Sequence, residues 1–265
     1  MGEALSRTPT VGPMLREWRE RRRLSQLSLA CDAGVSSRHL SFVETGRARP
    51  SREMLLHLAE QLDVPLRARN VLLLSAGYAP AYPERALDDP ALAGARRAID
   101  LVLAGHEPYP ALVFDRHWTV VATNTAVAPM MEGVDPALTE GAVNALRLAL
   151  HPGGLAPRIV NLGEWRAHLL ARLQQQVDRS GDAQLVALHA ELAGYPTREG
   201  DSPAHDLNAI AVPLRLRVDG LDAPLSLIST TTVFGTPVDV TLSELALECF
   251  YPADDATRAA LQRLA

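Results

Sequence analysis

The chain has 265 residues, of which 47% are hydrophobic, so it is long enough to form two domains with buried cores. Its net charge of −5 argues against non-specific nucleic-acid binding by the whole chain, but residues 1–76 carry a net +4 and residues 77–265 a net −9. The first ten residues lack the apolar core of a signal peptide, and no apolar run approaches the ~20 residues of a membrane span, so we expect a cytoplasmic protein without a membrane partner.

Residues 25–50 have the pattern of two helices joined by a sharp turn. Ser25 and Ser36 are each placed to cap a helix, and Gly34 supplies the left-handed residue that ends the first one. The second helix has an apolar inner face and an outer face of short polar residues: Ser37, Arg38, Ser41 and Glu44. A helix-turn-helix inserts its second helix into the DNA major groove; the alternative interpretation is a small α-hairpin within a helical bundle.

Five helices are predicted here, after a disordered N-terminus at 1–10, at about 13–22, 26–33, 37–45, 51–62 and 65–76. The side chains predicted to face the major groove are Ser36, Ser37, Arg38 and Ser41. Arg38 is the best candidate to recognise a base, because a guanidinium can engage guanine at two acceptors. The side chains predicted to contact phosphate are Gln26, Arg47 and Arg49.

This region closely resembles the Xre/Cro-type helix-turn-helix family. The matching pieces are LSQ at 24–26, LA at 29–30, AGVS at 33–36, ETGRARPS at 44–51 and LAEQLDVP at 58–65. The resemblance implies a DNA-binding domain, placed at 11–77, that binds a double-stranded DNA operator. One such domain reads only a few base pairs, so we expect a homodimer on two half-sites.

The Pro-rich and acidic segment 78–90 is predicted to be a linker, and 91–265 a second domain. Its predicted helices are at about 91–105, 124–131, 136–150, 162–179, 182–193 and 254–264. Its predicted strands are at 111–115, 118–124, 209–218, 224–235 and 238–252, the last with Glu244 and Glu248 outward. Two strands, a helical insert and a three-stranded antiparallel meander form the order of a PAS-like sensor fold. The predicted fold class is therefore α+β, with an all-α five-helix domain before a PAS-like domain whose sheet is mainly antiparallel.

Residues 107–252 resemble the ligand-binding domain of MmyB-like transcription regulators. The matching pieces are PALVFDRHWTVVATN at 110–124, VNALRLALHP at 143–152 and STTTVFGTPVDVTLSELALECFYPAD at 229–254. The resemblance implies an Xre-type domain coupled to a PAS-like domain, with a fatty acid as the kind of ligand bound.

A small apolar, elongated ligand is expected between the sheet and the inserted helices. The predicted apolar contacts are Trp118, Val120, Leu146, Leu150, Trp165, Leu169 and Phe234. A carboxylate head needs a cation or hydrogen-bond donors, and the candidates are Arg147, Arg158, Thr230 and Thr232. We expect no catalytic residue, metal or cofactor, since the chain has no nucleophile elbow, P-loop, dinucleotide-binding or HExxH motif.

Two interpretations of a different class remain open at this point. The first is a PAS-type redox or haem sensor that uses His or Cys. Cys31 and Cys249 form neither a metal spacing nor a disulfide framework, and the aromatic content of 5% is low for a haem or flavin cage. The second is a cytosolic enzyme that its N-terminal domain recruits to DNA, against which the missing catalytic motifs argue.

Overall fold

The computed structural model describes residues 10–196, 212–235 and 237–264, in two compact units. The first unit contains the residues up to Ala86 together with residues 237–243, and the second contains the rest. The predicted α+β fold class is confirmed. Two predictions fall partly or wholly outside the described residues: the disordered N-terminus, apart from Thr10, and the beginning of the strand at 209–218.

Five α-helices follow one another in the first unit: α1 (Val11–Arg21), α2 (Gln26–Asp32), α3 (Ser37–Glu44), α4 (Arg52–Gln61) and α5 (Leu66–Ser75). The hydroxyls of Ser25, Ser36 and Ser51 cap three of them, each accepting a hydrogen bond from the backbone N–H three residues on. A Cβ at Gly12 would lie 2.4 Å from the carbonyl oxygen of Val43, so only glycine lets α1 approach the end of α3 this closely.

The described residues after position 86 form six further α-helices and five strands: α6 (Ala93–Gly105), β1 (Ala111–Phe114), β2 (Val120–Thr123), α7 (Ala145–Leu150), α8 (Leu162–Ser180), α9 (Ala183–Ala193), β3 (Leu214–Leu216), β4 (Leu225–Val233), α10 (Val240–Ser243), β5 (Ala246–Pro252) and α11 (Asp255–Leu264). Short 3₁₀ helices lie at Pro90–Leu92, Thr125–Met131, Pro136–Leu138 and Ala156–Arg158.

The strands form one antiparallel sheet in the order β2-β1-β5-β4-β3. The register places Glu248 of β5 opposite Leu112 of β1 on one side and Thr231 of β4 on the other. The last strand of the chain therefore lies in the middle of the sheet, between β1 and β4. Buried residues of the sheet share one core with α7, α8, α9 and α11.

Residues 237–243, between β4 and β5, complete the first unit. The backbone N–H of Val240 donates to the carbonyl oxygen of Pro83 at 2.9 Å, and the hydroxyl of Thr241 donates to that of Arg85 at 2.6 Å. The Arg85 guanidinium is 3.0 Å from the carboxylate of Asp239, a residue that is only 1% exposed. These contacts attach the β4–β5 connection to the end of the segment that follows α5.

Two predicted elements differ from the structure because side-chain caps interrupt them. The helix predicted at 136–150 is only α7 plus a 3₁₀ turn, since Asn144 is extended and its side chain accepts hydrogen bonds from the first turn of α7. The strand predicted at 238–252 begins with α10, where the Asp239 carboxylate accepts from the N–H of Thr241 at 2.9 Å. Within the described residues, no helix is long and apolar enough to cross a membrane.

Candidate DNA-binding surface and ligand cavity

The candidate DNA-reading surface is the N-terminal end of α3. Ser36 caps this helix through its hydroxyl, which accepts from the N–H of His39 at 3.2 Å. Ser36, Ser37 and Arg38 are exposed and Ser41 is half-buried, whereas Leu40 and Val43 are buried in the core. The N-terminal end of the helix thus presents short polar side chains and one arginine to solvent. Such an arrangement allows a helix to enter the major groove and contact base edges.

Glu44, which sequence reasoning placed on the outer face of α3, is instead buried. Its carboxylate accepts from Arg19 Nε at 2.7 Å and Arg19 Nη2 at 2.9 Å, and its side chain is only 1% exposed. The hydrogen bond to Glu44 raises the pKa of Arg19, although burial acts in the opposite direction. Gln26 donates its amide nitrogen to the same carboxylate at 2.7 Å. The side-chain amide of Gln26 is thus already engaged within the unit. A contact of Gln26 with phosphate stays a prediction.

Phe42 lies on α3 between two arginines. The guanidinium carbon of Arg38 is 5.4 Å from the centre of the Phe42 ring, and that of Arg47 is 6.0 Å from it. Phe42 is half-buried but does not belong to the hydrophobic core of the first unit. Because an aromatic face attracts a guanidinium, this ring orients both arginines on the exposed surface.

Arg49 has a structural contact that the sequence did not reveal. Its Nη2 donates to the carbonyl oxygen of Ala76 at 2.6 Å, at the C-terminal end of α5, and its guanidinium lies 5.3 Å from the ring centre of Tyr78. This arginine therefore stabilises the end of α5, while Arg47 of the same segment is also exposed and its guanidinium faces Phe42.

A cavity of about 600 Å³ lies in the second unit. Its wall is almost entirely apolar and consists of Pro110, Leu112, Trp118, Val120, Thr123, Asn124, Thr125, Val127, Ala128, Met130, Met131, Thr139, Val143, Ala145, Leu146, Leu148, Ala149, Leu155, Ile159, Trp165, Leu169, Leu214, Leu216, Leu227, Glu248 and Phe250. The sheet and the helices inserted between β2 and β3 both contribute to the wall. Its volume is typical of sites that bind small molecules.

Trp118 is held at the cavity by the turn between β1 and β2. The Asp115 carboxylate accepts from the backbone N–H groups of His117 and Thr119, each at 2.8 Å, and Trp118 takes a positive φ of 66° in this turn. The indole stacks on Phe114 at 4.4 Å between ring centres and donates Nε1 to Gln176 at 2.7 Å. Packing and this hydrogen bond hold a left-handed conformation that a tryptophan rarely adopts.

Five of the predicted ligand contacts lie on the cavity wall: Trp118, Val120, Leu146, Trp165 and Leu169. The structure does not place the other six there: Leu150, Phe234, Arg147, Arg158, Thr230 and Thr232. Leu150 is in the surrounding core, and Phe234 lines a second, smaller groove. Thr230 and Thr232 on β4 are exposed, since their side chains point away from the core.

Neither predicted arginine lines the cavity. Arg147 forms a bidentate ion pair with Glu191, at 2.8 and 2.7 Å, on the outer surface. Arg158 donates its Nη2 to the carbonyl oxygen of Met130, and its Nη1 is buried without a hydrogen-bond partner in the described part of the chain. The Nε1 of Trp165 is also buried, and it has no hydrogen-bond partner among the described residues.

Sequence reasoning missed the ionic group of the wall, Glu248, because alternation in β5 suggested an outward side chain. Glu248 is 5% exposed and its carboxylate pairs with Arg172 of α8 at 3.0 and 3.1 Å. Arg172 also lies 4.6 Å from the ring centre of Trp118. Arg172 therefore neutralises the Glu248 carboxylate on the cavity wall. A buried acid on a central strand implies a nearby cation, but the sequence does not say which of the 26 arginines supplies it.

The five-helix unit, which exposes the N-terminal end of α3, and the sheet unit with its apolar cavity are the two parts expected of a DNA-binding transcriptional regulator with a ligand-sensing domain, and two family profiles support this class. The profile of the helix-turn-helix family matches residues 15–68. The profile described as the MmyB-like transcription regulator ligand binding domain matches residues 95–264, more than half of the chain, and the protein belongs to this family. A comparison with curated proteins finds no match.

Proposed function

We propose that the sensing domain binds a fatty acid or a similar acyl compound and that this ligand changes operator binding. The observation that carries the proposal is the cavity of about 600 Å³, where Glu248, the one charged wall residue among those the structure describes, is already paired with Arg172. Such a cavity favours the burial of apolar ligand surface and provides few hydrogen-bond partners for a polar ligand. Burial of each methylene group contributes ~0.8 kcal/mol, so a long chain binds tightly with few polar contacts.

The polar end of the ligand needs hydrogen-bond donors. Trp165 lines the cavity, and Arg158 contacts the backbone of Met130, another lining residue. Trp165 Nε1 is buried and has no hydrogen-bond partner among the described residues, which supports the part of the wall formed by Trp165 as the place where a carboxylate is held. Buried donors in native proteins rarely lack an acceptor, and a ligand carboxylate supplies one.

The proposed DNA-bound form is a homodimer. A single α3 contacts only a few base pairs, which is too little to select one site among many genomic competitors. Two copies on half-sites about one helical turn apart double the number of bases that are read. The surfaces that Ser37 and Arg38 present in the two copies would then lie in successive major grooves.

Regulation requires that the ligand bind the DNA-competent and DNA-incompetent forms with different affinities, because equal binding shifts nothing. The chain passes between the two units three times: after Ala86, and at both ends of residues 236–243. We therefore propose that the linker 78–90 and residues 237–243 both transmit the change. The ends of residues 237–243 continue into the strands that carry Leu227 and Glu248 of the cavity wall.

We propose binding rather than catalysis, without a resident cofactor or metal. The described part of the chain contains no group of three or more metal-ligating side chains that could hold an ion. The acidic group at the cavity, Glu248, is paired with Arg172 of α8. A visible absorbance band in the purified protein would contradict this proposal and favour a haem or flavin sensor.

The test titrates saturated fatty acids of several lengths into delipidated protein and follows both melting temperature and operator affinity. The operator is first selected from a random pool of duplexes. We expect stabilisation that changes gradually with chain length, since one methylene discriminates only about 10-fold or somewhat more. Stabilisation without a change in operator affinity would contradict the regulatory role, and no stabilisation by any acyl compound would contradict the ligand class.

A further inference from the structure

Helix α6 exposes an unusually apolar face. Of its 13 residues only Ile99 and Leu103 are buried, while Leu101 is 73% and Val102 49% exposed. The outward positions also include Gly94, Ala98, Ala104 and Gly105. A solvated helix normally carries charged side chains on this face, so an apolar one marks a site of contact with another molecule.

The two edges of this face differ. At 100° per residue, Leu101 is at its centre, Ala98 and Val102 lie along one edge, and Arg97 and Asp100 along the other. The apolar edge borders a groove of about 110 Å³ whose other walls come from β1 and from the adjoining ends of β4 and β5. At the groove, Val233 is 63% exposed. The charged edge carries one cation and one anion, and neither forms an ion pair within the described residues.

We propose that this face binds α6 of a second copy of the chain in an antiparallel crossing. A two-fold axis perpendicular to both helices places identical edges beside each other. The charged edges then meet, with Arg97 of each copy near Asp100 of the other, and the apolar edges and their grooves meet on the opposite side. A parallel pair would set the charged edge of one copy against the apolar edge of the other.

This charge complementarity selects a second copy as the occupant. The face offers one positive and one negative group, and a crossing near residues 98–99 forms two Arg97–Asp100 pairs between the copies, related by the two-fold axis. A 13-residue helix is about 20 Å long, so the neighbouring groove adds the apolar surface that a stable interface requires. This inference rests on the homodimer proposed above and assigns it a surface.

The test reverses one charge at a time in the full chain and measures sedimentation. Arg97→Glu places two acids in register and Asp100→Arg two bases, so we expect each variant alone to dimerise on the order of tenfold more weakly or worse than the native chain. An equimolar mixture of the two variants restores both attractive pairs, so we expect it to form heterodimers. Arg217→Glu makes the same charge change at another exposed position and serves as the control.

Three results would overturn the inference. If both single variants dimerise as the native chain does, the interface is elsewhere, although the proposed homodimer stands. If both are weakened but their mixture does not recover, the crossing is not the antiparallel one. If the native chain remains a monomer at micromolar concentration and on its operator, the homodimer itself is wrong. Unchanged circular dichroism and melting of each variant verify that the comparison is between folded chains.

Discussion

Arg19 of α1 and Glu44 at the end of α3 form a two-pronged ion pair, with nitrogen–oxygen distances of 2.7 and 2.9 Å, in a nearly dry environment. The pair joins α1 to α3, the helix predicted to face DNA. Arg19 also donates to the carbonyl oxygen of Leu24 at 2.8 Å, so the same guanidinium fixes the turn before α2. The position of α3 therefore depends on a charge pair as well as on apolar packing.

Glu44→Gln is the first test of this role. It keeps the shape and one acceptor but removes the negative charge, which leaves Arg19 as a poorly compensated buried cation. We expect the first unit to lose about 1–3 kcal/mol of stability, less than the 3–5 kcal/mol typical of a complete break. Thermal unfolding measures the loss, with Glu17→Gln on the exposed side of α1 as the control. Equal melting temperatures for the two variants would show that the pair contributes nothing.

The second prediction separates the arginines near the DNA-facing surface. Arg38→Ala should cost roughly 1–3 kcal/mol on the selected operator and relax one base position, because it removes the group predicted to engage guanine. Arg47→Ala should weaken binding to all sequences and reduce the slope of log K against log salt by about 1. Binding titrations at several salt concentrations, on operator and scrambled duplexes, distinguish the two effects. Unchanged discrimination in Arg38→Ala would contradict the assignment.

Arg49→Ala provides the third prediction. The guanidinium of Arg49 donates to the carbonyl oxygen of Ala76 and covers the ring of Tyr78. We therefore expect its removal to lower the stability of the unit by about 1 kcal/mol. The original prediction from sequence was a phosphate contact, which would instead appear as a flatter salt dependence. Measuring both melting temperature and salt slope decides between these two roles.

The fourth prediction concerns the cavity. Ala149 lines it, and Ala149→Phe fills part of the space that the acyl chain would occupy. We expect at least a tenfold weaker affinity for palmitate, because several methylene groups lose their place and each contributes ~0.8 kcal/mol. Ala187→Phe on the exposed face of α9 is the matched control. Arg147→Ala should leave the affinity unchanged, since Arg147 pairs with Glu191 outside the cavity.

The fifth prediction is a loss of stability in mild acid through His168. Burial lowers the pKa of this imidazole below its ordinary value of 6.5, with Arg172 acting in the same direction. Between the folded-state pKa and the unfolded-state pKa of His168, the unfolded chain binds more protons than the folded one. The free energy of unfolding is therefore highest above about pH 6.5 and falls as the pH drops toward the folded-state pKa. Melting curves from pH 7.5 to 5.5 should show a steeper decline for the native chain than for His168→Gln. Parallel declines would contradict this role.

Local sequence determined the helical unit almost completely. Serine caps begin α2, α3 and α4, the left-handed Gly34 follows the end of α2, and apolar spacing at helical period specifies which faces pack. All of these signals act within a few residues. The order of strands and helices in the second unit was also predictable, because the period of the apolar residues changes from helix to strand. The exceptions are the helix predicted at 136–150 and the strand predicted at 238–252. The family resemblance followed from the same residues and is confirmed.

Tertiary structure decided which side chains meet across long separations. Arg172 and Glu248 are 76 positions apart, and no local pattern pairs them or places Glu248 on the cavity wall. The same holds for Arg19 with Glu44 and for the attachment of Asp239 to Arg85. Periodicity reports only whether a residue faces inward. Whether an inward space is filled by packing or left as a cavity, and which cation neutralises a buried acid, depends on elements that the sequence brings together only through the fold.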